Sequence, residues 1–200
     1  SISGTTITTG TAKVFESASI DNGYAVNSIS AVALSDSKVL VAYQDGGNKK
    51  YGTAIVLSIS GTTITTGTAV VFNSRGTEHI SACKLDDNKV LVAYRNAGNS
   101  YYGTAIVLSI SGTTITTGTA VVFESANTSQ ISALAFSSTS ALIYYYSGIG
   151  CYKGLNIIDL ITYNLANLSL GTGTHTVTVV AKADGYRNSA ASDSVSYVVD

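Results

Sequence analysis

Short apolar runs alternate with polar turns along most of the chain, and no long run repeats with the 3.6-residue period of a helix. The first clear series begins with ISAVAL at Ile29, continues through the turn SDSK, and resumes with VLVAYQD at Val39. After the loop GGNKK come YGTAIVLSIS at Tyr51 and a threonine-rich run at Thr62. Runs of this length and composition, separated by Gly, Asn and Ser, predict β-strands. We therefore expect an all-β fold.

The series repeats along the chain. The segments ISAVAL, ISACKL and ISALAF begin at Ile29, Ile80 and Ile131, a constant step of 51 residues. The sequence from Tyr51 to Phe72 returns unchanged from Tyr102 to Phe123, and its central part, SISGTTITTGTA, also stands at the start of the chain. Extra residues between Phe15 and Ile29 suggest a surface loop at the first junction between repeats.

Each complete repeat resolves into four strands. The third and fourth are joined by Ser-Gly-Thr-Thr, where Gly61 or Gly112 can take the positive φ of a type II′ hairpin. Four antiparallel strands in about 50 residues are typical of a β-propeller blade. A stacked β-solenoid is the alternative, although its coils are usually shorter and lack central hairpins.

The repeats amount to about three blades, an incomplete propeller. We assign a lone fourth strand to residues 1–16, a first repeat to 28–73, a second to 79–124 and a partial third to 129–160. Known propellers usually have four to eight blades. Either two copies close a six-bladed ring, with TTITTGTAKVF of one chain completing the third repeat of the other, or the chain belongs to a longer protein. The absence of Met indicates that Ser1 is not a translation start.

Residues 161–200 have a different pattern. THTVTVVAKA, from Thr174, and SDSVSYVV, from Ser192, alternate as two strands, with Val177, Val179 and Ala181 on one face and Val195, Tyr197 and Val199 on another. This segment resembles the last strands of a fibronectin type III or immunoglobulin-like module. About 40 residues are too few for a two-sheet sandwich, so it must pack on the repeats, pair with another chain or form a small sheet.

The repeats resemble blades of bacteriophage tail fibres and related bacterial surface proteins. The resemblance is carried by VLVAYRNAGNSYYGTAIVLSISGTTITTGTAVVF, from Val90 to Phe123, and by its first copy, and it covers roughly residues 1–159. It implies a binding or spacer role in a virion, or at the cell surface in the extracellular space.

The composition argues against nucleic acid and membrane as partners. Charged residues make up 12% of the chain and the net charge is −1, so the clustered Lys and Arg that bind nucleic acid are missing. No apolar run approaches the length that spans a bilayer, so we expect no membrane insertion. We expect a glycan or protein receptor on a cell surface, and either a homo-oligomer or a longer chain.

Groups that could support catalysis or hold a metal are scattered. His79 and His175 are solitary, and we expect His79 to lie in a loop before a strand. Asp86, Asp87 and Asn88 lack the later Glu of a calcium loop and are typical turn residues. Cys83 and Cys151 form no recurring framework, which favours a buried thiol and a loop thiol over a disulfide. We expect no catalytic residue, metal or cofactor.

The repeats differ most in the loop after the second strand. QDGGNKKY becomes RNAGNSYY and then YSGIGCYK. Polar and aromatic side chains that vary on a constant frame suit sugars, through hydrogen bonds and ring stacking, although loop tips can also vary without function. The candidate ligand-binding residues are Gln44, Asp45, Asn48, Lys49, Arg95, Asn96, Asn99, Tyr101, Tyr146 and Tyr152. Tyr43, Tyr94 and Tyr145 repeat within strands and are predicted to pack in the core.

We consider three classes of function. The first is a non-enzymatic tail-fibre or adhesin protein that recognises a surface glycan or protein through the variable loops. The second is a spacer or assembly protein whose strands join subunits. The third, a propeller glycosidase, lacks a pair of carboxylates that can be placed as acid and base.

Overall fold

A computed structural model describes residues 2–7, 9–16 and 28–147, and the backbone of 152–159, 173–177 and 195–199. Side chains are described for residues 4–7, 9–16 and 28–147. These residues form strands and turns without a helix, which confirms the all-β prediction. The chain divides into two compact parts, residues 1–160 and 161–200.

Fifteen strands make up the described structure. They are β1 (Ile2–Ser3), β2 (Thr6–Ile7), β3 (Ile29–Ser35), β4 (Lys38–Asp45), β5 (Tyr51–Ser60), β6 (Thr63–Thr66), β7 (Val70–Asp86), β8 (Lys89–Asn96), β9 (Tyr102–Ser111), β10 (Thr114–Thr117), β11 (Val121–Ala135), β12 (Ser140–Ser147), β13 (Tyr152–Asp159), β14 (Gly173–Val177) and β15 (Val195–Val199).

Eleven of these strands form one curled antiparallel sheet. Its order is β3-β4-β5-β7-β8-β9-β11-β12-β13, with β6 added beside β5 and β10 beside β9. Neighbours in the sheet follow one another along the chain, except that β6 lies between β5 and β7 in the sequence and β10 lies between β9 and β11. The strands β1 and β2 form a separate pair, as do β14 and β15.

The junction between the first and second repeats is a strand. The 17 residues of β7 begin beside β5, with Ala54 paired to Val70, and end beside β8, with Asp86 paired to Lys89. The prediction that His79 lies in a loop is therefore wrong. Its φ of 50° falls in a β-bulge between Glu78 and Ser81, where one strand carries an extra residue. The extra residues of the first junction lie outside the described residues.

The predicted hairpins are confirmed. Gly61 and Gly112 have φ values of 57° and 63°, and each is the first residue of a two-residue turn. The threonine that follows each glycine has no positive φ, so the pattern is that of a type II′ turn. The turn at Asp36 and Ser37, between β3 and β4, is also where the sequence predicts it.

The core lies between neighbouring repeats. Alternate residues of a strand point to opposite faces, so each repeat has two apolar faces. Residues of β4 and β5 on one face of the first repeat pack against the facing residues of β8 and β9; among them are Leu40, Ala42, Val56, Val92, Tyr94 and Leu108. The other face of the second repeat, with Leu91 and Ala105, packs in the same way against Ile143 and Tyr145 of the third.

Every repeat packs a phenylalanine against a tyrosine, in an edge-to-face or tilted geometry. The ring centroids lie 5.3 Å apart for Phe15 and Tyr43, 5.4 Å for Phe72 and Tyr94, and 5.1 Å for Phe123 and Tyr145. The three tyrosines are at most 6% exposed, which confirms that they are packing residues. Burial raises the pKa of Tyr94 to about 12.

Serine hydroxyls of one repeat also accept hydrogen bonds from main-chain N–H groups of the next repeat. The Ser30 hydroxyl accepts a hydrogen bond from the Ala82 N–H at 3.0 Å, and the Ser81 hydroxyl accepts one from the Ala133 N–H at 2.9 Å. The two bonds join equivalent positions one repeat apart. Because the first strands of adjacent repeats are not paired with each other in the sheet, these hydroxyls satisfy donors that would otherwise be unpaired.

In the C-terminal part, β14 and β15 pair antiparallel, with His175 opposite Tyr197 and Val177 opposite Val195. These two strands are where the alternating pattern predicts them. Val179 and Ala181, assigned from sequence to the first of them, lie outside the described residues.

Candidate functional site

The variable loops of the first two repeats share one backbone conformation. In each, a main-chain N–H at the third loop position, Asn48 or Asn99, donates to the carbonyl three residues earlier, at 3.2 Å and 3.0 Å. The next two residues have positive φ values, between 52° and 63°, for Lys49, Lys50, Ser100 and Tyr101. None of these four is glycine, although side chains disfavour this conformation. The loops therefore hold one frame while their side chains differ.

Most candidate residues in these loops point into solvent. Lys49, Asn99 and Tyr101 are exposed, Tyr101 at 45%, while Asn48 is half-buried. Lys49 has no ion pair among the described residues. The Arg95 guanidinium lies over the Tyr101 ring, 5.1 Å from the ring centroid. A cation over an aromatic face is attracted by the electron density of the ring. The structure thus brings Arg95 and Tyr101 together.

The candidates at the strand ends hold the scaffold. The Gln44 amide donates to the Thr77 carbonyl at 2.8 Å, across the boundary between repeats. The Asp45 carboxylate accepts a hydrogen bond from the Thr53 hydroxyl at 3.4 Å. The Asn96 side-chain oxygen accepts one from the Gly98 N–H at 3.1 Å, as in an Asx turn. Gln44 and Asp45 therefore bond neighbouring strands, and Asn96 bonds its own loop.

Arg95 belongs to a half-buried ion pair that the sequence does not reveal. Its Nε donates to the Glu78 carboxylate at 2.8 Å, and its Nη2 also contacts that carboxylate. A terminal nitrogen lies 3.4 Å from the Asn127 side-chain oxygen. The Arg95 and Glu78 side chains are 20% and 18% exposed, so solvent screens them only partly. Glu78 and Asn127 join the site because both lie in bulged segments of β7 and β11.

The third repeat contributes less to the described site. Tyr146 lies on β12, half-buried, with its backbone paired to Lys153 of β13. Tyr152 begins β13, and its side chain lies outside the described residues, as do residues 148–151.

His79 connects the second repeat to both of its neighbours. The main-chain N–H of His79 donates to the Ser28 hydroxyl at 2.7 Å, and the main-chain N–H of Gln130 donates to the His79 ring Nδ1 at 3.4 Å. Ser28, His79 and Gln130 occupy the same position in successive repeats. Desolvation by burial lowers the pKa of His79 below its ordinary value of 6.5, and the positive charge of Arg95 lowers it further, opposed by Glu78.

We expect replacement of His79 by glutamine, the residue at this position in the third repeat, to reduce the loss of stability on acidification. Because the folded-state pKa of His79 is depressed, the unfolded chain binds more protons as the pH falls through 6.5, and the folded state loses stability. Protonation would also place a hydrogen on Nδ1, which could then no longer accept the hydrogen bond from the Gln130 N–H. Urea denaturation of both proteins from pH 7.5 to pH 5 measures this difference, since His175 contributes equally to each. Parallel stability curves would contradict the assignment.

An open cleft lies at the ends of the strands that are farthest from the variable loops. It measures about 460 Å³ and lies between the turns of the first and second repeats, beside Asp36, Lys84 and Asp87. Lys84 bonds the Asp87 carboxylate at 2.7 Å and the Leu34 carbonyl at 2.7 Å, and the hydrogen bond to Lys84 lowers the pKa of Asp87. The Asp86 carboxylate accepts from the Asn88 N–H at 2.8 Å, which confirms the turn role predicted for that segment.

Among the described residues, no three His, Cys, Asp or Glu side chains lie together in a group that could hold a metal ion. Cys83 is a buried free thiol, and burial raises its pKa to about 11. Cys151 lies outside the described residues. A search of the same residues finds no helix with the length and apolar character needed to cross a membrane.

Comparison with known proteins finds no matching family model, no matching curated protein and no matching solved structure.

Proposed function

We propose that residues 1–160 are a propeller-type scaffold of four-stranded blades that presents its variable loops to a glycan or protein on a cell surface. The protein is a non-enzymatic component of a virion tail fibre or of an extracellular adhesin. The observation that carries this proposal is the shared backbone of residues 46–50 and 97–101, which display different side chains. A frame kept constant while its exposed tips change is suited to recognition.

The blade assignment is supported by how the strands are grouped. In the first and second repeats, a third strand is flanked by a second strand on one edge and by fourth-strand residues on the other. The repeats then stack face on face through their apolar sides. Both features are those of adjacent propeller blades. The immunoglobulin-like assignment of 161–200 is part of the same proposal, supported by the β14–β15 pair.

The exposed residues favour one class of ligand. Tyr101 offers an aromatic face partly covered by a guanidinium, and Asn99 and Lys49 offer amide and ammonium donors. Aromatic faces pack against the C–H surfaces of sugars, while donors bind their hydroxyls. Neutral or acidic surface polysaccharides fit this combination best.

We expect Tyr101→Ala to weaken binding to such a polysaccharide by about tenfold, the scale of an aromatic interface residue. The measurement is binding of the whole labelled chain to an array of bacterial surface polysaccharides and to intact bacteria. Tyr144→Ala is the matched control, because Tyr144 is also exposed, at 37%, but lies within β12. Binding that survives replacement of both loops by Gly-Ser sequences would refute the role of the loops.

A structural role in assembly is the second candidate. It is favoured by β13, the last strand of the large sheet, which has a neighbour on one edge only among the described strands.

A further inference from the structure

Three positive side chains lie, without an ion pair, at the ends of the strands that carry the variable loops. Lys49, Lys50 and Arg75 are exposed, and none of them is in a salt bridge within the described part of the chain. At the opposite ends of the strands, by contrast, Lys84 and Lys89 each pair with a nearby aspartate. We call Lys49, Lys50 and Arg75 the cationic cluster, because the backbone brings them together.

Main-chain hydrogen bonds place Arg75 beside the first variable loop. The Thr77 N–H donates to the Lys50 carbonyl at 3.0 Å. In the ladder between β5 and β7, Tyr51 pairs with Gly76. The residue after Lys50 is therefore paired with the residue after Arg75, so the two cations adjoin each other although they are far apart in the sequence.

A β-bulge and a glycine position the Arg75 side chain. Ser74 and Arg75 bulge out of the ladder between β5 and β7, and a bulge changes the direction in which a side chain points. A Cβ added at Gly98 would lie within 2.6 Å of three carbon atoms of Arg75. The N–H of Ala97, in the same loop, donates to the Gly76 carbonyl at 2.9 Å. The aliphatic part of Arg75 thus lies on the main chain of the second variable loop, and the cluster extends from the first loop to the second.

The next junction, between the second and third repeats, has the same frame without the positive charge. Thr77 bonds two carbonyl groups through its N–H and its hydroxyl, and Thr128 repeats both bonds one repeat later. The side chains on this frame differ. Where the first junction has Lys49, Lys50, Asn73 and Arg75, the next has Ser100, Tyr101, Glu124 and Ala126. Each of the four differences makes the first junction more positive.

The described carboxylates near these loops have other contacts. Glu78 is bonded to Arg95. Burial raises the pKa of Tyr43 to about 12, with contributions from the negative charges of Asp45 and Glu16, so both carboxylates lie near Tyr43. That tyrosine is on the face of the first repeat opposite the one that packs on the second repeat. The cationic cluster therefore keeps its positive charge at the junction.

The cluster and the neighbouring Tyr101 ring favour a sugar acid. An ammonium group attracts a carboxylate, and a guanidinium can bind one through two parallel N–H groups. An aromatic ring packs against the C–H face of a sugar. A uronic or sialic acid residue offers a carboxylate and a C–H face in one molecule, whereas a neutral sugar leaves the cluster without a counter-charge.

We propose that the loops bind a polysaccharide that carries carboxylate groups, with the cationic cluster holding the carboxylates and Tyr101 packing on a sugar ring. The proposal rests on the function proposed above, because it names the ligand class of the same loops. It adds Lys50 and Arg75 to the binding residues.

Carboxyl reduction of the ligand tests the proposal directly. The probes are capsular polysaccharides that contain uronic or sialic acid, each used before and after its carboxyl groups are reduced to alcohols. We expect the whole chain to bind at least one acidic form, reduction to weaken that binding about tenfold or more, and added salt to weaken it as well. Lys50→Gln combined with Arg75→Gln should also lower the affinity about tenfold.

Two control variants separate local charge from other effects. Lys38→Gln combined with Lys89→Gln removes the same two charges at the opposite ends of the strands, and it should leave binding unchanged. Lys50→Arg combined with Arg75→Lys keeps both charges and should retain most of the affinity, even though it alters the packing on Gly98. Thermal unfolding of each variant checks that it is folded.

The outcomes distinguish this proposal from the one on which it rests. Equal binding of the acidic and reduced forms, still weakened by Tyr101→Ala, would overturn the role of the cationic cluster and leave recognition by the loops intact. Binding to no polysaccharide in either form would count against both. Duplex DNA or polyglutamate bound as tightly as the acidic polysaccharides would also overturn the proposal, because the cluster would then attract any polyanion.

Discussion

Tyr94→Ala is expected to lower the free energy of unfolding by about 3–5 kcal/mol, the cost of truncating a fully buried aromatic side chain. Tyr94 is 1% exposed and lies in the cluster between the first and second repeats, with Phe72 against its ring. Removing it leaves a cavity that neither repeat can fill without moving its strands. Chemical denaturation followed by circular dichroism measures the loss.

Two comparisons make this prediction specific. Tyr94→Phe keeps the ring and is expected to cost less than about 1.5 kcal/mol, as do other volume-conserving changes. Val71→Ala, at a residue 39% exposed on the same strand as Phe72, is expected to cost less than Tyr94→Ala. A Tyr94→Ala protein as stable as wild type would mean that the repeats do not pack through this face.

Glu78→Gln is expected to lower the free energy of unfolding by about 1–3 kcal/mol, because it leaves the Arg95 guanidinium half-buried without its counter-ion. Arg95→Met should have a similar cost, because it leaves the Glu78 carboxylate half-buried without its counter-ion. In the double variant the two losses should not add, since both remove the same hydrogen-bonded pair. A double-mutant cycle by urea denaturation yields the coupling energy.

The same cycle separates two roles for Arg95, which are to position Tyr101 and to stabilise the fold. If Arg95 mainly positions Tyr101 and the loop, Glu78→Gln should weaken the proposed polysaccharide binding as well as stability, because the guanidinium then has no fixed position over the ring. Additive losses in stability, with a coupling energy near zero, would show that the charges are paired in the structure without contributing to the fold.

The strand pattern and the hairpins could be predicted because each depends on local chemistry. Gly61 and Gly112 adopt a backbone conformation that other residues disfavour. The continuous apolar run VLVAY around Val41 and around Val92 indicates a strand buried on both faces. The strand through residues 73–79 could not be predicted. Its sequence, NSRGTEH, is polar and contains glycine, so it has the composition of a turn, and only pairing with β5 and β8 makes it extended.

The position of the candidate residues in or beside the loops could be predicted, but the contacts of their side chains could not. A change from Gln44 to Arg95 at one repeat position marks a variable strand end, and both side chains do lie beside the loops. A polar side chain at a strand end, however, can bind a ligand or satisfy a neighbouring main-chain group, and composition does not separate the two. Gln44, Asp45 and Asn96 satisfy scaffold groups, whereas Lys49, Asn99 and Tyr101 stay accessible.

Because β7 belongs to two repeats at once, loss of structure in one repeat disrupts a strand that the next repeat shares. Its first residues pair with β5 of the first repeat, and its last residues pair with β8 of the second; β11 connects the second and third repeats in the same way. Tension applied at one repeat passes directly along a hydrogen-bonded strand into the next. A filament or fibre made from such units would bear load as one cooperative body, without a flexible linker at the described junctions where it could yield first.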